Sequence, residues 1–127
     1  MGESLKTYSG LALAFMGDSV YSLYVSERIV RRANMSAAKL HKKVSGIVRA
    51  PAQAKALDRI MDELSDDEKE AVRRGMNSKP DHKAKNATGY EYQKATALEA
   101  LFGYLFLEGR SDRINDLIDL CMGEENE

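Results

Sequence analysis

Residues 98–107 read Leu98-Glu99-Ala100-Leu101-Phe102-Gly103-Tyr104-Leu105-Phe106-Leu107, nine uncharged side chains around one carboxylate. The run shows no period-2 alternation, so it is expected to close a helix over residues 90–107, stopped by Gly109. Working outward, Ser9 precedes a helical stripe of Leu11, Ala14, Phe15, Tyr21, Val25 and Ile29 that ends near Asn34. Ser36 stands where an N-cap belongs, and Pro51 suits the first turn of a helix ending near residue 64. Ser65-Asp66-Asp67-Glu68 matches a capping box. Residues 76–89 lose the apolar pattern and read as a loop, rich in Asn77, Ser78, Lys79, Pro80, Asp81 and Gly89. Ser111 is expected to cap a last short helix through about residue 121, with residues 122–127 as a frayed tail. The sequence therefore predicts an all-α helical bundle of five to seven helices, one domain over residues 1–127.

Composition removes several function classes. At 127 residues, with 43% hydrophobic and 31% charged, the chain can bury a core without staples. The single Cys121 excludes an intrachain disulfide and a multi-cysteine zinc site, and suggests a reducing, cytoplasmic setting. No apolar run approaches the roughly 20 residues that span a bilayer, and the polar start does not resemble a signal peptide. No membrane partner is expected. The net charge of −1, from 19 basic and 20 acidic residues, argues at face value against nucleic acid. That sum says nothing about distribution.

Two acids stand where acids are costly. Between residues 9 and 26 the only acid is Asp18, with Leu11, Ala14, Phe15, Tyr21, Ser22 and Val25 as its helical neighbours. Between residues 92 and 107 the only acid is Glu99, beside Tyr92, Ala95, Thr96, Phe102, Gly103 and Phe106. Both are expected on faces that the two long helices bury, at a cost on the order of several kcal/mol if unpaired. Neither helix offers a Lys or Arg on that face. A hard divalent cation would compensate two carboxylates, and so would hydroxyls of Tyr, Ser or Thr at the rim of a core. Gly17 and Gly103 flank the acids and suggest a close helix crossing that brings them together.

The bases are segregated. Residues 28–57 hold Arg28, Arg31, Arg32, Lys39, Lys42, Lys43, Arg49 and Lys55 and no acid. Residues 73–85 add Arg73, Arg74, Lys79, Lys83 and Lys85 against Asp81 alone. This reads as a phosphate-binding surface, joined by His41 and Asn77. The tract has no aromatic residue, which favours backbone and shape recognition of a duplex over stacking on single-strand bases. His41 and Ser45 lie one turn apart, but no acid in the tract could orient the histidine, so a triad is not supported. An enzyme, a non-catalytic module gripping structured RNA, and a helical DNA-binding regulator all remain open from these residues.

Gly17-Asp18-Ser19-Val20 resembles the signature helix of the ribonuclease III catalytic domain, and residues 98–107 resemble its distal helix. The similarity runs over residues 9–109, with Asp18 and Glu99 on that family's metal-binding aspartate and glutamate. Leu11, Ala14 and Thr96 stand where the family carries further acids. Only 18 residues follow Gly109 here, so no double-stranded-RNA-binding domain is expected, as in the reduced Mini-ribonuclease III branch. Leu40-His41-Lys42-Lys43 and Arg73-Arg74-Gly75-Met76-Asn77 also look like that branch. The resemblance implies a homodimeric endoribonuclease making staggered cuts in double-stranded RNA. It further implies Mg2+ held by Asp18 and Glu99 partly through water, with Mn2+ as a substitute. Precursor large-subunit (23S) ribosomal RNA is the implied substrate, with a ribosomal protein as a conceivable helper.

Overall fold

The computed structural model describes residues 5–78 and 89–123. After a 3-10 turn, Leu5–Thr7, six helices follow: α1 Gly10–Arg32, α2 Ala37–Val48, α3 Ala50–Ile60, α4 Asp66–Met76, α5 Gly89–Leu107 and α6 Ser111–Met122. Among the described residues there is no strand. The expected start signals are used. Ser9 accepts from the Ala12 amide at 3.0 Å and Ser36 from the Lys39 amide at 3.2 Å. Pro51 lies in the first turn of α3, where its missing donor costs nothing. Both halves of the capping box form: the Ser65 amide donates to Glu68 Oε1 at 2.8 Å, and the Glu68 amide to Ser65 Oγ at 3.3 Å.

Two expectations at the C-terminal end need correction. Ser111 is the first helical residue of α6, and Arg110 takes the cap position with no side-chain cap bond. The cause is the turn before it. Gly109 adopts φ +74°, and the Arg110 amide is spent closing α5 on the Leu105 carbonyl. Met122 is not frayed: it is 2% exposed and continues the buried face of Ile114, Leu117, Ile118 and Cys121. The rest of the expected tail, residues 124–127, lies outside the described residues.

α5 is the centre of the bundle. Its residues from Ala95 to Leu105 are buried apart from Glu99, because α1, α3 and α4 surround it. α2 packs on α1, and α6 closes the side formed by α3. The α1–α5 crossing depends on two glycines. A Cβ at Gly17 would stand 1.6 Å from the Glu99 carbonyl oxygen, and one at Gly103 would stand 1.9 Å from that of Leu13. Any side chain at either position separates the helices.

Candidate active site

The glycine crossing sets the register of the site. Gly17 touches the backbone of Glu99, so its neighbour Asp18 arrives beside the Glu99 side chain. The two carboxyls interact by charge and by a hydrogen bond, with Glu99 as the protonated donor. Burial raises the Glu99 pKa most, Asp18's charge and hydrogen bond add to it, and a hydrogen bond from Gln53 opposes them; the carboxyl is pushed up to about 8. Among the described residues no basic side chain compensates the pair. Lys94, on α5, turns away to Asp58 on α3.

The expected burial of both acids is half right. Glu99 is partly buried, but Asp18 is exposed. The α1 stripe splits: Ala14, Tyr21, Val25 and Ile29 enter the core, while Leu11 (38% exposed) and Phe15 (81%) stand on the outer face. A repeat of 100° per residue places Asp18 between the two groups, at the edge of the α1–α5 seam. The site is therefore open on one side.

Gln53 was not singled out by the sequence. It lies on α3, only 2% exposed, and hydrogen-bonds the Glu99 carboxyl. A buried amide within Ala52-Gln53-Ala54 was the available signal, since buried polar groups need partners. Thr96 makes no such contribution, because its hydroxyl donates to the Tyr92 carbonyl one turn back at 3.0 Å. Among the described residues no group of three or more Asp, Glu, His or Cys is assembled. The donor set is two carboxylates, hard oxygen ligands that suit a divalent cation keeping several waters. A cation would take the position of the proton that Glu99 now shares with Asp18.

The basic residues fall into two groups. Arg28 is tied to α6 through Asp119 (2.8 Å) and Asn115, and Arg74 donates to the Leu5 and Tyr8 carbonyls. Both make these contacts to the fold itself. Arg31 pairs with Glu27 and Arg73 with Glu70, each on its own helix and exposed. Arg32, Lys39, His41, Lys42, Lys43 and Arg49 are exposed with no ion pair among the described residues. Asn77 is the exposed C-cap of α4. Lys79, Lys83 and Lys85, with most of the expected loop, lie outside the described residues.

The chain is similar to known proteins over most of its length. The family model described as the Ribonuclease III domain matches residues 11–110. A Mini-ribonuclease 3 of a Thermoanaerobacter species is 43% identical over 120 residues, covering 94% of this chain and 84% of that protein. The Mini-ribonuclease 3 of Staphylococcus aureus is 36% identical over 125 residues, covering 97% and 93%. A crystal structure of a protein from Fusobacterium nucleatum superimposes with a TM-score of 0.86 at 29% identity, covering 98% of this chain and 99% of that one.

Proposed function

The chain belongs to the ribonuclease III family and is an endoribonuclease of double-stranded RNA, and we propose that Asp18 and Glu99 are the residues that carry its hydrolysis. The observation behind this is the carboxyl pair itself: two hydrogen-bonded acids at a helix seam, with no basic side chain among the described residues to balance them. Asp18 and Glu99 would hold Mg2+, or Mn2+ in its place, partly through water. Such an ion, when bound, lowers the pKa of a coordinated water and neutralises charge developing on the phosphate. The protein's own contribution is positional. Asp18 presents its carboxylate at the open edge, Glu99 gives up the shared proton, and Gln53 holds the Glu99 carboxylate in place. No protein nucleophile is needed.

Arg32, Lys39, His41, Lys42, Lys43 and Arg49 supply phosphate contacts to the duplex, with Arg73, Asn77, Lys79, Lys83 and Lys85 from the α4–α5 side. Arg31 joins them by exchanging Glu27 for phosphate. The exposed Leu11 and Phe15, continuous with Phe106 (46% exposed), seat a second copy of the chain. A two-fold dimer places two sites on opposite strands, giving staggered cuts. The substrate is precursor 23S ribosomal RNA, matured in the cytoplasm. Among the described residues no helix is long and apolar enough to cross a membrane.

The test is cleavage of a long RNA duplex by the purified chain with Mg2+, then with chelator. Asp18→Asn and Glu99→Gln should bind the duplex and leave it intact. Retarded but uncut RNA with the parent protein in Mg2+ would mark a binding module instead. Phe15→Lys should shift the chain to a monomer in analytical ultracentrifugation.

A further inference from the structure

A cavity of about 520 Å³ opens between α2 and α3, with Tyr21 of α1 and Cys121 and Met122 of α6 among its lining residues. Six cations surround it: Lys39, Lys42, Lys43, Arg49, Lys55 and Arg59. No acid lines it, and none of the six has an ion pair among the described residues. Elsewhere the fold behaves differently, since Arg28, Arg31, Arg73, Arg74, Lys94, Arg110 and Arg113 each meet a carboxylate. Like charges gathered in a concavity focus a strong positive potential. A second feature is independent of charge. Tyr21 is fully buried, and its hydroxyl meets only the Cys121 thiol, a weak partner. A bound oxygen acceptor would satisfy it better.

The lining narrows the ligand. Ile47, Pro51, Ala52 and Met122 give apolar wall beside the cations, so the cavity suits a molecule with an apolar ring at one end and several charges at the other. Inorganic phosphate would leave most of the volume and most of the cations unused. A duplex presents its phosphates on a wide convex surface and reaches only the rim, where Lys39, Lys42, Lys43 and Arg49 are exposed.

We infer that this cavity binds a nucleoside di- or triphosphate, its phosphates among the six cations and its base against the apolar wall. The same chemistry is carried by a free nucleotide and by the 5′-triphosphate end of an RNA. The inference shares Lys39, Lys42, Lys43 and Arg49 with the duplex contacts proposed above, but it needs neither Asp18 nor Glu99.

Gly46 makes the test clean. It lines the cavity, and a Cβ added there meets nothing within 4 Å. Gly46→Glu therefore places an acid among the lysines without a clash, while Gly46→Ala adds only a methyl. The full chain, in chelator so that no RNA is cut, is titrated with fluorescently labelled GTP. Unlabelled GTP should displace the probe, whereas guanosine and inorganic phosphate at the same concentration should not. Gly46→Glu should weaken binding by about tenfold or more, and Gly46→Ala by less than about twofold. Tyr21→Phe should weaken it by about three- to tenfold, read at a temperature where parent and variant are both folded. Displacement by a 5′-triphosphate duplex at concentrations where the 5′-hydroxyl duplex does not displace assigns the RNA end as the source, and equal displacement by the two duplexes assigns the free nucleotide. The inference is overturned if the probe does not bind, or if Gly46→Glu binds as well as the parent.

Discussion

Glu68 on α4 and Glu99 on α5 are both helix-borne glutamates facing the bundle, and the fold treats them in opposite ways. Glu68 is fully buried, yet Arg113 reaches it with two nitrogens at 2.8 Å, the Ser65 amide donates at 2.8 Å, and Arg110 approaches to 3.8 Å. Burial works to raise its pKa, but the Arg113 and Ser65 hydrogen bonds and the two guanidinium charges outweigh it and hold the carboxyl below its usual value. Glu99 is less buried and worse satisfied, with Gln53 as its one outside donor among the described residues and a second carboxyl for a neighbour. Depth alone does not mark a functional acid. What marks it is a charge for which the protein supplies no counter-charge, leaving that role to something bound.

The largest expected effect separates these two roles directly. Glu99→Gln and Asp18→Asn should lower single-turnover cleavage of duplex RNA by about 10²- to 10³-fold or more while leaving the fold at least as stable as the parent. Glu68→Gln should do the reverse. It strands the Arg113 guanidinium, destabilises the chain by about 3–5 kcal/mol, and leaves cleavage measurable at temperatures where the fold survives. Thermal melts beside cleavage rates decide it. Full activity in Glu99→Gln, or an undiminished melting temperature in Glu68→Gln, would erase the contrast.

The pH dependence of stability is the next largest effect. The Glu99 pKa is about 8 in the folded chain against an ordinary 4.5, so the folded state holds its proton longer than the unfolded state does. The penalty is absent below pH 4.5, grows as pH rises through that window, and is complete above 8. In chelator the parent should therefore lose on the order of a few kcal/mol between pH 5 and 8 relative to Glu99→Gln. Divalent metal reverses this by favouring the ionised pair, so binding below pH 8 should release a proton. Calorimetric titration with Mg2+ in buffers of different ionisation enthalpy measures that release directly. A pH-independent difference between the two proteins would break the account of Glu99.

Gly17→Ala probes how the pair is brought together. Its methyl would collide with the Glu99 carbonyl, so the helices must part, at about 1–3 kcal/mol of stability. Mg2+ affinity should fall with it, although no ligand has been changed. A variant that melts earlier yet binds metal normally would show that the crossing sets packing alone.

Much of this was legible in the sequence, for reasons that differ by element. The caps at Ser9, Ser36 and Ser65 and the stop at Gly109 are local chemistry, read within a few residues. Asp18 and Glu99 stood out because each is a lone acid in an apolar helix, and Gly17 with Gly103 announced the crossing that joins them. The outer exposure of Asp18 was not legible, since α1 carries apolar residues on two faces and periodicity cannot say which one is covered. The roles of Arg28 and Arg74 were hidden as well. Their partners lie 91 and 66–69 residues away in sequence, and only the tertiary fold brings them together.

Gln53 is the smallest and sharpest probe of the comparison, because it is all that Glu99 has in place of Arg113. Gln53→Leu keeps the volume and helix propensity of the buried position and removes only the donor. The Gln53 hydrogen bond opposes the rise in the Glu99 pKa, so its loss should raise that pKa further. The acid limb of the cleavage profile should then move upward by up to about 1 pH unit, a loss of up to about tenfold near pH 7 that is recovered at higher pH. A purely structural role would instead lower the rate at every pH alike, with the limb unmoved. The shift, and not the loss, is therefore the reading that assigns Gln53 to the site.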